Sequence, residues 1–153
     1  MDTEVAKEKI LKYCAYQERS QKEVKNKLYE MGLYTGQVNE ILVYLIQEDY
    51  LNEERFAFLY AGSKMRQKKW GRIKIGNELK MKGVGAKLVS SALAQLNHEQ
   101  YMQNIADLTE KKDRTHTYKN EYERKQKLIR YLMSKGYVWS EIEIAMDDFF
   151  ATE

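Results

Sequence analysis

The chain has 153 residues and a formal net charge of +3 at pH 7, and it is long enough to bury a hydrophobic core. It holds one cysteine, which excludes an internal disulfide, and no proline, so glycine and capping residues are expected to end its helices. The charged first residues and the short apolar runs predict neither a signal peptide nor a membrane span. We therefore expect a soluble, cytoplasmic, all-α protein.

The first third of the chain predicts three helices. The second of them opens with a capping box, Ser20 to Glu23, and ends at Gly32, and the third starts near Thr35. The first runs from about Glu4 to Gln17, and the candidates for its buried side are Val5, Ile10, Leu11, Cys14 and Ala15.

The middle third predicts three more helices. Asn52, followed by two glutamates, is a helix start, and the helix runs into a basic tract. Trp70 and Gly71 mark a turn, and the fifth helix stops at Gly83 before a sixth.

The last third repeats this plan with a helix from about His98 to Lys111 and a polar loop over residues 112–117. An eighth helix then ends at Gly136, and a second capping box, Ser140 to Glu143, opens the last helix.

These thirds are three copies of one pattern. Its eight aligned positions are Val24, Leu28, Gly32, Leu33, Val38, Ile41, Leu42 and Leu45; then Ile75, Leu79, Gly83, Val84, Val89, Ala92, Leu93 and Leu96; then Leu128, Leu132, Gly136, Tyr137, Ile142, Ala145, Met146 and Phe149. A glycine at C′, with apolar residues at C3 and C″, is the pattern of a Schellman motif. We predict three tandem three-helix repeats, residues 1–52, 53–97 and 98–153, in an elongated, curved nine-helix array. A continuous globular bundle is the alternative.

Catalytic constellations are not found. Two histidines and one cysteine are too few for a Cys/His zinc set, and phosphate-binding loops, dinucleotide fingerprints and nucleophile elbows are missing. We predict no catalytic residue, no cofactor and no metal site, and hence no enzyme.

Positive charge is concentrated in the middle third, where residues 53–97 hold ten Lys or Arg against three Asp or Glu. Such an excess indicates binding to phosphates or to an acidic protein surface, with Trp70 as a stacking or apolar anchor. The alternative is a solvated helix surface with Trp70 packed into the turn. The candidate binding residues are Lys64, Arg66, Lys68, Lys69, Trp70, Arg72, Lys74, Lys80, Lys82 and Lys87.

Four segments of the chain carry distinctive patterns: SQKEVKNKLYEMG, DYLNEERFAFLYAGSKMR, WGRIKIGNELKMKGV and RQKLIRYLMSKGYVWSEIEIAM. The first three resemble the signature segments of the RecX family of regulatory proteins, and the fourth is similar to the family's third repeat. In the middle segments the family pattern falls on Tyr50, Leu51, Glu53, Arg55 and Phe56, and then on Gly71, Lys74, Ile75, Glu78, Leu79, Lys82 and Gly83. Asn52 stands where the family usually has an acid.

The resemblance implies three tandem three-helix units and a non-enzymatic regulator that binds the RecA–DNA filament. It implies inhibition or modulation of the recombinase, ATPase and coprotease activities of RecA in DNA repair and the SOS response. We expect a monomer with RecA as partner and weak binding to the DNA backbone. A stand-alone DNA-binding helical module is the alternative, and an adaptor for another protein is a third reading.

Overall fold

The computed structural model describes all 153 residues, which form nine α-helices and no β-strand. The helices are α1 Thr3–Tyr16, α2 Gln21–Glu30, α3 Thr35–Gln47, α4 Glu53–Lys68, α5 Arg72–Met81, α6 Ala86–Ala94, α7 His98–Arg114, α8 Glu121–Ser134 and α9 Trp139–Ala151. They follow one another as three groups of three: α1–α3, α4–α6 and α7–α9. The predicted all-α class is confirmed.

The middle helix of each group ends in the same turn. Gly32, Gly83 and Gly136 have φ angles of 87°, 84° and 97°, a left-handed conformation that glycine adopts without steric cost. Each glycine N–H donates to the carbonyl three residues back, at 2.9–3.0 Å. The next N–H donates to the carbonyl five residues back, at 3.1–3.4 Å. This is the Schellman pattern, so the predicted turn is confirmed in all three copies.

Two predicted helix starts are also confirmed. Ser20 is buried; its Oγ accepts from the Glu23 N–H at 3.1 Å, and Glu23 Oε1 accepts from the Ser20 N–H at 3.2 Å. At the start of α4, Asn52 Oδ1 accepts from the Arg55 N–H at 2.9 Å. Each polar side chain satisfies a backbone donor that has no partner inside its helix.

Two predicted boundaries in the last third are wrong. Helix α7 continues to Arg114, because Asp113 faces α8 and pairs with Arg124 at 2.7 Å, which gives the extra turn a tertiary contact. Helix α9 begins at Trp139, one residue before the predicted box at Ser140. Glu141, not Glu143, supplies the cap and accepts from the Val138 N–H at 3.0 Å.

The predicted buried side of α1 is partly wrong. Ala6 and Ile10 are fully buried, whereas Val5 is 41% exposed and Ala15 is exposed. Ala6 and Ile10 lie four residues apart on one helix face, and Val5 lies beside that face.

The chain forms two compact units. The first unit comprises residues 1–60 and 79–92, and the second comprises residues 61–78 and 93–153. The boundaries between them fall inside helices α4, α5 and α6. The repeat boundaries at residues 52 and 97 stay a prediction.

The main buried cluster of the first unit is aliphatic, and Phe56 is also buried in this unit. The cluster comprises Ala6, Ile10, Val24, Leu28, Leu33, Val38, Ile41, Leu45 and Leu51. The start of α2 also lies against the glycine turn after α5: Lys22 Nζ donates to the Met81 carbonyl at 2.9 Å, and a Cβ at Gly83 would lie 3.3 Å from Lys22 Cβ. The Gln21 N–H donates to Glu53 Oε1 at 3.0 Å. The second helix of the first group is therefore joined to the glycine turn of the second group.

The core of the second unit contains two large tyrosines. Tyr101 and Tyr137 are almost completely buried, and their rings meet edge to face with centroids 5.3 Å apart. Other buried apolar residues of this unit are Met65, Ile75, Ile105, Leu108, Leu128, Ile129, Leu132, Ile142 and Met146. None of the nine helices combines the length and the apolar character that crossing a membrane requires.

Candidate interaction surface

The ten predicted binding residues fall in both units. Lys80, Lys82 and Lys87 lie in the first unit. The other seven lie in the second unit, within residues 64–74, which we call the basic segment. The segment comprises the end of α4, the turn at residues 69–71 and the first turn of α5.

Arg66 and Lys68 are the most available cations of the basic segment. Both are exposed in the last turn of α4 and make no ion pair. Positive side chains are favoured at that end, where the helix dipole presents partial negative charge. The first turn of the same helix carries Glu53 and Glu54.

The turn after α4 holds an unusual backbone conformation. Lys69 has a φ of 55°, which non-glycine residues rarely adopt. Its carbonyl accepts a hydrogen bond from the Tyr137 hydroxyl at 2.6 Å, and its ammonium lies 3.8 Å from Asp107 Oδ2. That ion pair is largely exposed, so it contributes little energy.

Trp70 lies between two of the predicted lysines. Lys64 Nζ is 5.4 Å and Lys74 Nζ is 4.9 Å from the centroid of the indole ring, within the range of cation–π attraction. Trp70 and both lysines are half-buried. The indole therefore attracts two ammonium groups of the protein itself, a role that the sequence did not predict for it.

Arg72 has partners inside the protein. Its Nη1 lies 2.5 Å from Glu141 Oε2, and its guanidinium lies 4.1 Å from the centroid of the Tyr101 ring. Glu141 carries the opposite charge and is mostly buried, so the pair neutralises Arg72 within the protein. An external anion would have to compete with that carboxylate.

The backbone amides at the start of α5 are also satisfied internally. The Gly71 N–H donates to the Lys135 carbonyl at 2.8 Å, and the Ile73 N–H donates to the Gly136 carbonyl at 3.0 Å. The Arg72 N–H donates to the Tyr101 hydroxyl at 2.9 Å. Helix starts often bind phosphate through free N–H groups, but these three are occupied. Anion binding by the basic segment therefore depends on its side chains.

Two tyrosine hydroxyls take part in this arrangement as neutral groups. Tyr101 donates to Glu141 Oε1 at 2.9 Å while it accepts from Arg72. Burial raises the pKa of both the Tyr101 and the Tyr137 hydroxyl above the usual tyrosine value, so both keep their protons near neutral pH.

Of the predicted lysines of the first unit, one has partners inside the protein and two are available. Lys82 Nζ lies 3.8 Å from Glu23 Oε1 and 5.5 Å from the centroid of the Tyr60 ring. Lys80 and Lys87 are exposed and make no ion pair. They are the available cations of this unit.

Sequence reasoning missed Tyr101, Tyr137 and Glu141. One signal was present: Tyr137 stands where the other two copies have Leu33 and Val84, and an aromatic hydroxyl at an aliphatic position suggests a hydrogen bond. Glu141 falls in the interior of the predicted capping box. Its pairing with Arg72 joins residues far apart in the chain, and no local pattern reports it.

No group of three or more His, Cys, Asp or Glu side chains is arranged to hold a metal ion. Burial raises the pKa of the Cys14 thiol, which lowers its thiolate fraction and its reactivity. A mainly apolar cavity of about 370 Å³ lies between α7 and α9, lined by Met102, Ala106, Glu110, Ala145, Asp148, Phe149 and Thr152.

Comparison with known proteins assigns each group of helices to one family. Residues 6–45 match the model of the first three-helix domain of RecX, residues 52–93 match the second, and residues 99–146 match the third. Among curated proteins, the chain is 28% identical over 138 residues to the "Regulatory protein RecX" of Bacillus cytotoxicus, covering 90% of this chain and 51% of that protein. It is also 28% identical over 151 residues to the protein of the same name from Clostridium acetobutylicum, covering 95% and 69% respectively.

The chain thus spans about half the length of the Bacillus relative. Among solved structures, the crystal structure of RecX from Lactobacillus salivarius superimposes with a TM-score of 0.88 at 23% identity and covers 95% of both chains. A second crystal structure of a regulatory protein RecX gives a TM-score of 0.86 at 26% identity, covering 95% of this chain and 71% of the other. With all three domain models matched in order, the chain belongs to the RecX family of regulatory proteins.

Proposed function

We propose that this protein is a non-enzymatic regulator that binds the RecA–DNA filament in the cytoplasm and inhibits the ATPase, recombinase and coprotease activities of RecA. Its role would lie in DNA repair and the SOS response. The observation that carries the proposal is the unpaired positive charge of Arg66 and Lys68 on a chain of the RecX family. Such cations attract acidic protein surface and DNA phosphates alike.

The mechanism that we propose is a shift of an equilibrium. A ligand that binds one state of a filament more tightly than another changes the populations of the two states without any chemical step. Lys80 and Lys87 of the first unit would add to the attraction. Arg72 is one of the predicted binding residues, but it would contribute to binding through its internal pair with Glu141 and not by direct contact with the filament.

The test is a titration of this protein into RecA assembled on single-stranded DNA, with ATP hydrolysis and filament length as readouts. We expect inhibition at amounts below one protein per RecA. The Arg66→Glu/Lys68→Glu variant should weaken inhibition about tenfold or more, since each reversal replaces attraction by repulsion.

A matched control reverses two exposed lysines of α1. The Lys9→Glu/Lys12→Glu variant changes net charge by the same amount, and neither lysine makes an ion pair. Equal loss of inhibition in both variants would assign the effect to net charge and refute a local surface. No effect of the unaltered protein on RecA would refute the proposal itself.

The second candidate is a stand-alone DNA-binding module, which the same unpaired cations favour. It requires DNA affinity in the absence of RecA, with a salt dependence of about one counterion per phosphate contacted. The occupied amides at the start of α5 remove one common means of holding phosphate. If the protein binds DNA only weakly and in a salt-sensitive way but inhibits RecA strongly, the first proposal is favoured.

A further inference from the structure

The turn at residues 69–71, which carries predicted binding residues, is held by hydrogen bonds from another part of the second unit. It belongs to the connection between α4 and α5, but its backbone is hydrogen-bonded by residues of α7 and of the α8–α9 turn. Six backbone groups of the second unit take part: the Lys69 carbonyl, the N–H groups of Gly71, Arg72 and Ile73, and the carbonyls of Lys135 and Gly136.

The two backbones approach so closely that no side chain fits between them. A Cβ at Gly71 would lie 2.4 Å from the carbonyl carbon and oxygen of Gly136 and 2.5 Å from the Tyr137 nitrogen. A Cβ at Gly136 would lie 2.5 Å from Lys74 Cβ. By contrast, a Cβ at Gly32, the equivalent glycine of the first group, would have nothing within 4 Å. At Gly83, the equivalent glycine of the second group, a Cβ would lie 3.3 Å from Lys22 Cβ, so the closest approach of the three is at Gly136.

Tyr137 holds the least favourable part of the turn. The left-handed backbone of Lys69 is unfavourable for a residue with a side chain. The Tyr137 hydroxyl donates to the Lys69 carbonyl at 2.6 Å from a ring that is 1% exposed. The buried ring fixes the position of the hydroxyl oxygen, so the hydrogen bond favours one orientation of the peptide that follows Lys69.

Tyr101 and Glu141 hold the other side of the turn. The Tyr101 hydroxyl links the Arg72 N–H to Glu141 Oε1, and Glu141 also pairs with the Arg72 guanidinium and accepts from the Val138 N–H. One carboxylate therefore connects the cap of α9 to the start of α5. Lys69 and Trp70 lie in the connection whose two ends are fixed in this way, and Lys68 directly precedes it.

We infer that Tyr137, Tyr101 and Glu141 are positioning residues, which hold the basic segment in the geometry that binds a polyanionic partner. The third group of helices thus sets where the cations of the second group point. Preorganisation of this kind increases affinity because the segment is already ordered in the free protein, so binding does not have to order it. The inference rests on the proposed function for the identity of the partner.

The test uses the full chain with Tyr137→Phe, which keeps the ring and removes only the hydroxyl. Tyr122→Phe is the matched control, because Tyr122 is 75% exposed and its hydroxyl makes no hydrogen bond. In the free protein, amide hydrogen exchange at Trp70, Gly71 and Ile73 should become about tenfold faster in Tyr137→Phe and remain unchanged in Tyr122→Phe. Unchanged exchange in both variants would overturn the inference without any reference to RecA.

The second measurement is binding to the RecA–DNA filament across a salt series. Tyr137→Phe should bind about three- to tenfold more weakly with unchanged helix content, and its affinity should depend less on salt because fewer cations engage at once. A purely structural role would leave affinity and salt dependence unchanged. Faster exchange with unchanged binding would likewise overturn the inference.

Glu141→Gln is the second variant, in case Tyr137→Phe folds poorly. Glutamine can still cap Val138 but removes the charge that Arg72 pairs with, so amide exchange at Gly71 and Ile73 should quicken as in Tyr137→Phe. Because the change also frees the Arg72 guanidinium, amide exchange and not affinity is the readout for this variant. If the unaltered protein does not act on the filament, the proposed function fails, and the exchange experiment still decides whether the segment is held. If it acts and Tyr137→Phe binds as tightly as the unaltered protein, only the positioning role fails.

Discussion

At the scale of single residues, the three turn glycines separate a local backbone requirement from contacts with distant parts of the chain. They are Gly32, Gly83 and Gly136. All three have positive φ, a requirement of the Schellman turn itself. Their neighbours differ: a Cβ would meet nothing within 4 Å at Gly32, Lys22 Cβ at 3.3 Å at Gly83 and Lys74 Cβ at 2.5 Å at Gly136. The cost of a side chain should therefore increase along the chain.

We predict that Gly32→Ala lowers the free energy of unfolding by about 1 kcal/mol, the cost of a left-handed alanine. Gly136→Ala should cost about 2–4 kcal/mol, because the added methyl also collides with α5. Urea unfolding followed by circular dichroism measures both. Gly36→Ala, inside α3 with open space around it, should not destabilise, and equal costs at Gly32 and Gly136 would contradict the argument.

The two serines of the predicted capping boxes provide a second prediction. Ser20→Ala should cost about 1 kcal/mol, because it leaves the Glu23 N–H without its acceptor at a buried position. Ser140→Ala should change the free energy of unfolding by less than about 0.5 kcal/mol, since Ser140 is exposed and caps nothing. Urea unfolding of the two variants measures both free energies of unfolding. A comparable loss of stability in both would mean that Ser140 also stabilises the fold.

The candidate surface was only partly predictable at this scale. The clustering of cations along residues 64–74 can be predicted from the sequence, because the charge of a segment depends only on its residue types. Whether a given cation is available depends on partners elsewhere in the chain. Arg72 pairs with Glu141, whereas Arg66 and Lys68 are unpaired.

At the scale of helices, buried Asn104 connects α7 to α4. Its Nδ2 donates to the Met65 carbonyl at 2.9 Å, and its Oδ1 accepts from Gln100 Nε2 at 2.8 Å. We predict that Asn104→Ala costs about 1–3 kcal/mol, since it removes a buried donor. Gln103→Ala, on the exposed side of α7, is the control; a urea midpoint that shifts equally in the two variants would argue against this connection.

The ends of α7 and α8 make a pH-dependent contact. Hydrogen bonds from Arg124, opposed by partial burial, hold the pKa of Asp113 below its usual value, and Arg124 also pairs with Glu153. A lowered pKa in the folded state contributes stability above the unfolded value of about 3.9 and loses it as pH falls through the folded value.

We therefore predict that Asp113→Asn is less stable than the unaltered protein at pH 6 and that the difference shrinks as pH falls below about 4. Urea unfolding across a pH series measures the difference. Asp107→Asn is a control, because its pair with Lys69 is long and exposed. A difference between Asp113→Asn and the unaltered protein that stays constant down to low pH would contradict the assignment.

At the scale of the whole molecule, the two compact units share three helices. Because α4, α5 and α6 each contribute residues to both units, unfolding of one unit breaks helices of the other. We predict a single cooperative transition. Both tryptophans, Trp70 and Trp139, lie in the second unit, whereas circular dichroism reports on all nine helices. Coincident urea midpoints are expected from the two signals, and separated midpoints would show independent units.

The sequence by itself determined the features whose causes lie within a few residues. The glycine turns, the Ser20 cap and the nine helices in three groups follow from spacing and local hydrogen bonding, which are present in any segment read alone. The family was indicated by the resemblance of four segments to RecX segments. Only the tertiary structure decided that α7 extends to Arg114, that Glu141 neutralises Arg72, and that Tyr137 fixes the turn after α4. Each of these joins side chains from distant parts of the chain, and a contact of that kind has no period or motif in the sequence.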